Sequence, residues 1–207
     1  MLRVGLTGGI GSGKSTVSSV LRDLDIPVLQ ADVLGHELLE PGQAAYEDVV
    51  KEFGDGILGP DGAVDRAKLG IVVFGDPAKR AKLNWILHPR ILEVVRKWFE
   101  ALERPGGPDM AFLEAALIFE AGIKKDLDMV VLCVATHDQQ VERLKERGIM
   151  REQAERRIAA QMSTDEKRRL ADDIIDCSGS MKDTEAQVRH VVDRLRQSAA
   201  EKKNKKS

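Results

Sequence analysis

Apolar residues fall along this chain in short runs separated by longer stretches at helical spacing. Leu2, Val4 and Leu6 alternate with Arg3 and Gly5, the two-residue period of a strand. Ile26–Leu29, Met110–Ile118 and Met129–Val134 are almost continuously apolar, as expected of strands in a parallel sheet covered on both faces. Ile174 and Ile175 predict a fifth. Between these runs Val17, Val20, Leu21 and Leu24, and later Ile91, Leu92, Val95, Trp98 and Phe99, recur every three or four positions, which predicts amphipathic helices. The alternation predicts an α/β fold: a five-stranded parallel sheet flanked by helices, with right-handed crossovers and ligands at the carboxyl ends of the strands.

Two stretches depart from this pattern. From 36 to 108 the chain carries turn signals at Gly54-Asp55-Gly56 and Pro60-Asp61-Gly62 and then a long helical pattern, predicting an inserted helical lobe. From 138 to 170 it is rich in Arg, Glu and Gln with few large apolar residues, predicting a mobile helical hairpin. Asp138 is placed to cap its first helix, Gly148 to end it, and Ser163 with Glu166 has capping-box spacing for a second start. Residues 1–35, 109–137 and 171–200 then form the core, and the Lys-rich tail 201–207 is expected to fray.

Charge changes the picture little. Thirty-two Lys and Arg against 34 Asp and Glu leave a net charge of −2, so bulk electrostatics do not suggest a nucleic-acid binder. Two cysteines and four scattered histidines show no metal-ligand spacing, and so few thiols fit a reducing compartment. No apolar run approaches the ~18 residues of a membrane span, and no signal-sequence pattern precedes the first strand. The expectation is a cytoplasmic protein without membrane or nucleic-acid partners.

The chemistry begins at the end of the first strand. Gly8-Gly9-Ile10-Gly11-Ser12-Gly13-Lys14-Ser15 has the spacing of a phosphate loop, followed by Thr16 and the first helix. Glycine lets the backbone wrap with its N–H groups inward, Lys14 reaches the terminal phosphates, and Ser15 offers its hydroxyl to Mg²⁺. The helix N-terminus adds partial positive charge. Residues Gly9 to Thr16 are therefore the candidate nucleotide site, with ATP and Mg²⁺ the expected cofactors of a P-loop fold.

A phosphoryl-transfer enzyme also needs a carboxylate at the acceptor hydroxyl and mobile cations. Asp32 follows the second strand, where it can take the acceptor's proton or cap the helix through Leu34, Leu38 and Leu39; the two roles are compatible. Glu114 lies inside an apolar run, where a carboxylate is costly unless paired or near a cation. It either approaches Mg²⁺ through water or a salt bridge, or is a turn residue. Glu120 is expected to be structural. Arg143, Arg147, Arg151, Arg156 and Arg157 offer guanidinium groups suited to phosphate, although Glu142, Glu146 and Glu152 can pair with them on a solvated face.

Taken together, Thr7 to Thr16, Ala31-Asp32, Phe53-Gly54, Asp65-Arg66 with Leu69, Val73-Phe74, His88-Pro89, Leu117-Ile118-Phe119-Glu120, the spaced Gln140, Arg143 and Arg147, Gln161, and Ala171-Asp172 resemble the dephospho-coenzyme A kinase family over nearly the whole chain. The resemblance implies a nucleoside-monophosphate-kinase-like core, an acceptor-binding helical lobe and an Arg-bearing lid. It implies transfer of the ATP γ-phosphoryl group to the ribose 3′-hydroxyl of dephospho-coenzyme A; the expected state, a monomer or small homo-oligomer, does not follow from it. Asp32 matches the family's proposed base, Arg143 and Arg147 belong to the lid, and Arg66, His88 and Arg90 fall on the acceptor side. His88 is alternatively a helix-boundary residue before Pro89.

Three positions depart from the family pattern: Ala116 replaces a usual Pro, His36 a frequent Arg, and Cys177 a frequent Asn. Two rival functions remain. One is a kinase of the same architecture acting on a nucleoside, shikimate or gluconate. The other is a GTPase-like switch, since Asp32-Val33-Leu34-Gly35 fits D-x-x-G, although the chain has no N-K-x-D.

Overall fold

The computed structural model describes residues 1–74 and 76–204. Five strands, β1 (Leu2–Thr7), β2 (Val28–Gln30), β3 (Met110–Glu114), β4 (Met129–Val134) and β5 (Asp173–Asp176), form one sheet in the order β2-β3-β1-β4-β5. The β1 pairs with β3 and β4, and the β4 pair with β5, are parallel. Its helices are α1 (Lys14–Asp23), α2 (Ala31–Glu37), α3 (Tyr46–Phe53), α4 (Arg66–Phe74), α5 (Pro77–Leu102), α6 (His137–Glu146), α7 (Arg151–Ala159), α8 (Thr164–Leu170) and α9 (Met181–Asn204).

The chain forms two compact units. The first, Met1–Leu29 with Ala101–Ser207, is built on the sheet. Leu2, Val4 and Leu6 of β1, Phe112 of β3 and Val131 of β4 pack in one cluster with Val17, Val20 and Leu21 of α1 and Val188, Val191, Val192 and Leu195 of α9. The helical spacing of these α1 and α9 residues gives each helix one apolar stripe. The second unit, Gln30–Glu100, has its own core, in which Leu38, Leu39, Ala45, Val49, Ile57, Leu69, Val73 and Ile86 are buried. It begins at Gln30, so Asp32 belongs to it.

Several elements differ from the sequence pattern. β3 stops at Glu114, and Ala116 to Gly122 turn, because β1 leaves the sheet after Thr7 and offers no further ladder. Ile118 is nevertheless fully buried, so its apolarity reflects packing in a turn. β2 starts after Pro27, whose missing N–H cannot join a ladder, while the Ile26 N–H bonds Leu21 O at the end of α1. The stretch expected to be a hairpin is the three helices α6 to α8. Thr136, not Asp138, caps α6 in a capping box with Gln139, while Ser163 and Glu166 form the expected box on α8. α5 runs through Pro89 without ending, so His88 is no helix boundary. α9 continues to Asn204, where a frayed tail was expected; residues 205–207 lie outside the described residues.

Candidate active site

The loop from Gly8 to Gly13 joins β1 to α1 at the carboxyl end of the central strand. Gly11 (φ 76°) and Gly13 (φ 99°) are left-handed, a conformation that side chains resist, and no side chain fits at either. A Cβ on Gly11 would lie 2.9 Å from Gln140 O, and one on Gly13 2.7 Å from Cys177 Cβ. The backbone is therefore held against α6 and the end of β5 with no room to spare. Lys14 Nζ donates to Gly8 O at 2.7 Å and Gly9 O at 3.1 Å, placing its ammonium against the loop. Among the described residues, Ser12 Oγ is the buried side-chain polar atom without a hydrogen-bond partner. A glycine cradle, an ammonium and an orphaned hydroxyl suit a polyphosphate.

Surrounding side chains brace this loop. Arg143 donates from its two terminal nitrogens to Gly11 O at 3.0 Å and Cys177 O at 2.7 Å, so it is already seated at the loop. Arg147, at the end of α6, is exposed. Glu114 is the last residue of β3, not a turn residue; it is 8% exposed and accepts the Ser18 hydroxyl of α1 at 2.7 Å. Ser15 is exposed in the first turn of α1.

The Cys177 side chain packs on Gly13 beside Cys133. Burial pushes the Cys133 thiol well up. The hydrogen bond with Cys133 holds that of Cys177 down, with the Arg143 charge adding to it.

Three residues that brace the site were missed as site residues. Gln140 packs over Gly9 and Gln161 accepts the Ile10 N–H at 2.8 Å; in the sequence they stood out only through the resemblance. Lys167 is 1% exposed and bonds Glu120 at 2.9 Å and Ala116 O at 2.9 Å, so Glu120 is structural as expected. Within Thr-Asp-Glu-Lys-Arg-Arg, no local signal separates this buried lysine from solvated neighbours.

In the second unit, Asp32 is exposed in the first turn of α2, and Gln30, not Asp32, holds the N-cap position. His36 stands in the field of both Asp32 and Arg66. Arg90 is engaged structurally: it donates to Ala44 O at 2.8 Å and Ile86 O at 2.7 Å and pairs with Asp48. His88 is half-buried on α5.

Burial, then Arg66, lowers the His36 pKa below its ordinary 6.5, with Asp32 opposing; burial lowers that of His88. The unfolded chain therefore takes up protons near pH 6.5 that the folded imidazoles accept only at lower pH, so these groups erode stability as pH falls below about 6.5. The urea midpoint is expected to drop between pH 7.5 and pH 5.5, and less so in a His36→Gln/His88→Gln double variant. Equal drops in both proteins would rule the histidines out.

A parallel sheet in this order, with a phosphate loop after its central strand, defines a P-loop kinase fold. A family model described as dephospho-CoA kinase matches residues 2–183, and the chain belongs to that family. Dephospho-CoA kinases from Symbiobacterium thermophilum and Carboxydothermus hydrogenoformans are 44% and 43% identical, each over 186 residues. The matches cover 89% of this chain in both cases and 77% and 90% of the relatives. The solved structure of TT1252 from Thermus thermophilus is similar with a TM-score of 0.80 at 34% identity, covering 94% of this chain and 97% of that one. Among the described residues no helix is long and apolar enough to cross a membrane.

Proposed function

We propose that this chain transfers the γ-phosphoryl group of ATP to the ribose 3′-hydroxyl of dephospho-coenzyme A, in the cytoplasm, giving coenzyme A and ADP. The observation that carries the donor half is the glycine cradle with Lys14 seated on it; membership of the family supplies the acceptor. A bond forms between the 3′-oxygen and phosphorus, the bond from phosphorus to the β,γ-bridging oxygen breaks, and Asp32 takes the hydroxyl proton. Residues 36–108 bind the acceptor, with Arg66 and His88 offering polar contacts and Arg90 organising the lobe through Ala44 and Asp48. Residues 138–170 act as the lid, from which Arg143 and Arg147 neutralise charge on the transferring group.

Among the described residues no cluster of three His, Cys, Asp or Glu side chains is arranged to hold a metal. Mg²⁺ suits such a site because it takes few protein ligands and several phosphate oxygens. Ser15 would hold it, and Glu114, fixed by Ser18, would supply negative charge behind the loop. When bound, the ion neutralises phosphate charge.

ADP release with dephospho-coenzyme A, adenosine, nucleoside monophosphates and shikimate tests the acceptor. A preference for dephospho-coenzyme A of about 10²-fold or more in kcat/KM is expected, within what a matched polar site achieves. Equal or absent turnover across the panel would overturn the assignment.

A further inference from the structure

Gln161, between α7 and α8, does more than touch the loop. Its Oε1 accepts the N–H of Ile10 at 2.8 Å, and the same peptide unit presents its carbonyl, that of Gly9, to Lys14 Nζ and the Ser12 N–H, both at 3.1 Å. The peptide is trans, so its C=O and N–H point to opposite sides. The Gly9–Ile10 unit is thus a bar held by Gln161 on one side and carrying Lys14 on the other. Gly9 has no side chain to fix the bar; a Cβ there would lie 2.8 Å from Gln140 Nε2. Its orientation depends on these hydrogen bonds.

Gln161 is itself firmly mounted. The next N–H, that of Met162, donates to Glu120 Oε1 at 3.1 Å, and that oxygen lies 2.9 Å from the buried Lys167 ammonium. Lys167 also donates to Ala116 O, which accepts the Thr7 hydroxyl at 3.3 Å. The junction of α7 and α8 is thereby tied to the end of β1 as well as to the loop.

We propose that Gln161 is a positioning residue for nucleotide binding and phosphoryl transfer: it sets the Gly9–Ile10 peptide and, through it, the Lys14 ammonium. Without the carboxamide oxygen the peptide is held on its carbonyl side alone, and turning it over withdraws the Gly9 carbonyl from Lys14 toward the side Gln161 had occupied. The inference rests on the loop being a nucleotide site and not on the identity of the acceptor, so binding without acceptor tests it.

The test compares the parent protein with Gln161→Met, of similar length without an acceptor oxygen, and Gln161→Glu, which keeps one. Amide exchange at Ile10 is followed by NMR, with Val131 in β4 as an internal reference, and affinities for ATP, ADP and AMP are measured by calorimetry. In Gln161→Met the Ile10 amide is expected to exchange about tenfold faster or more, while Val131 is unchanged; losing the hydrogen bond opens that site alone. ATP and ADP are expected to bind about tenfold more weakly and AMP as before, because Lys14 meets only the outer phosphates. Gln161→Glu should keep the Ile10 protection. Unchanged Ile10 exchange in Gln161→Met, or an equal change in all three affinities, would overturn the proposal. A parent protein that binds none of the three nucleotides would instead overturn the reading of the loop.

Discussion

Lys14→Met is expected to lower turnover by about 10³-fold, the upper range for removing one preorganised charge from a transition state, with the fold intact. The Lys14 ammonium lies against Gly8 O and Gly9 O, where the loop geometry brings it to the outer phosphates. Phosphoryl transfer asks little covalent chemistry of the protein, so positioned charge supplies much of the rate. The residue sits in the first turn of α1, while the buried positions of that helix are Val17, Ser18, Val20 and Leu21, so the apolar stripe is untouched. Lys14→Arg is expected to restore little, because a planar fork does not replace a compact ammonium between two carbonyls. Steady-state ADP release with calorimetric nucleotide binding measures both. Turnover within tenfold of the parent would show that Lys14 does not meet the transferring group.

Asp32→Asn should cut turnover by about 10²-fold or more while leaving ATP affinity nearly unchanged, as expected for loss of a general base. The structure sharpens this test. Gln30 holds the N-cap position and no side chain caps α2, so the substitution removes no cap. It loses only the favourable placement of an acidic side chain in the first turn of α2, worth ~0.3–1 kcal/mol. Asp32 also raises the His36 pKa against the effects of burial and Arg66, so removing its charge should lower the His36 titration further. An NMR titration of His36 reports whether the carboxylate was ionised. Near-normal turnover with a shifted His36 would leave Asp32 an electrostatic neighbour of the lobe and not a base.

The strand pattern was legible because a parallel sheet covered on both faces demands continuous apolarity; Met129–Val134 matched its residues in full. Boundaries failed where a neighbour decided them. β3 ends where β1 leaves, and Ile118 is apolar because it is buried in a turn. The Thr136 capping box overrode Asp138 through a reciprocal bond with Gln139. Arg90 stood on the acceptor side only through the resemblance; its guanidinium is engaged by Ile86 one turn away and by Ala44 and Asp48, the last two distant in sequence. Lys167 lay hidden among charged residues for the same reason.

By itself the chain of residues determined the α/β class and the phosphate loop, because both depend on local rules: apolar period, glycine spacing and the lysine and serine that follow. The tertiary structure alone decided what holds that loop in shape. Gln161, Arg143, Cys177 and Gln140 reach Ile10, Gly11, Gly13 and Gly9 across more than a hundred residues of chain. Hydrogen bonds and close packing act over a few ångströms in space, and no spacing along a sequence records that distance.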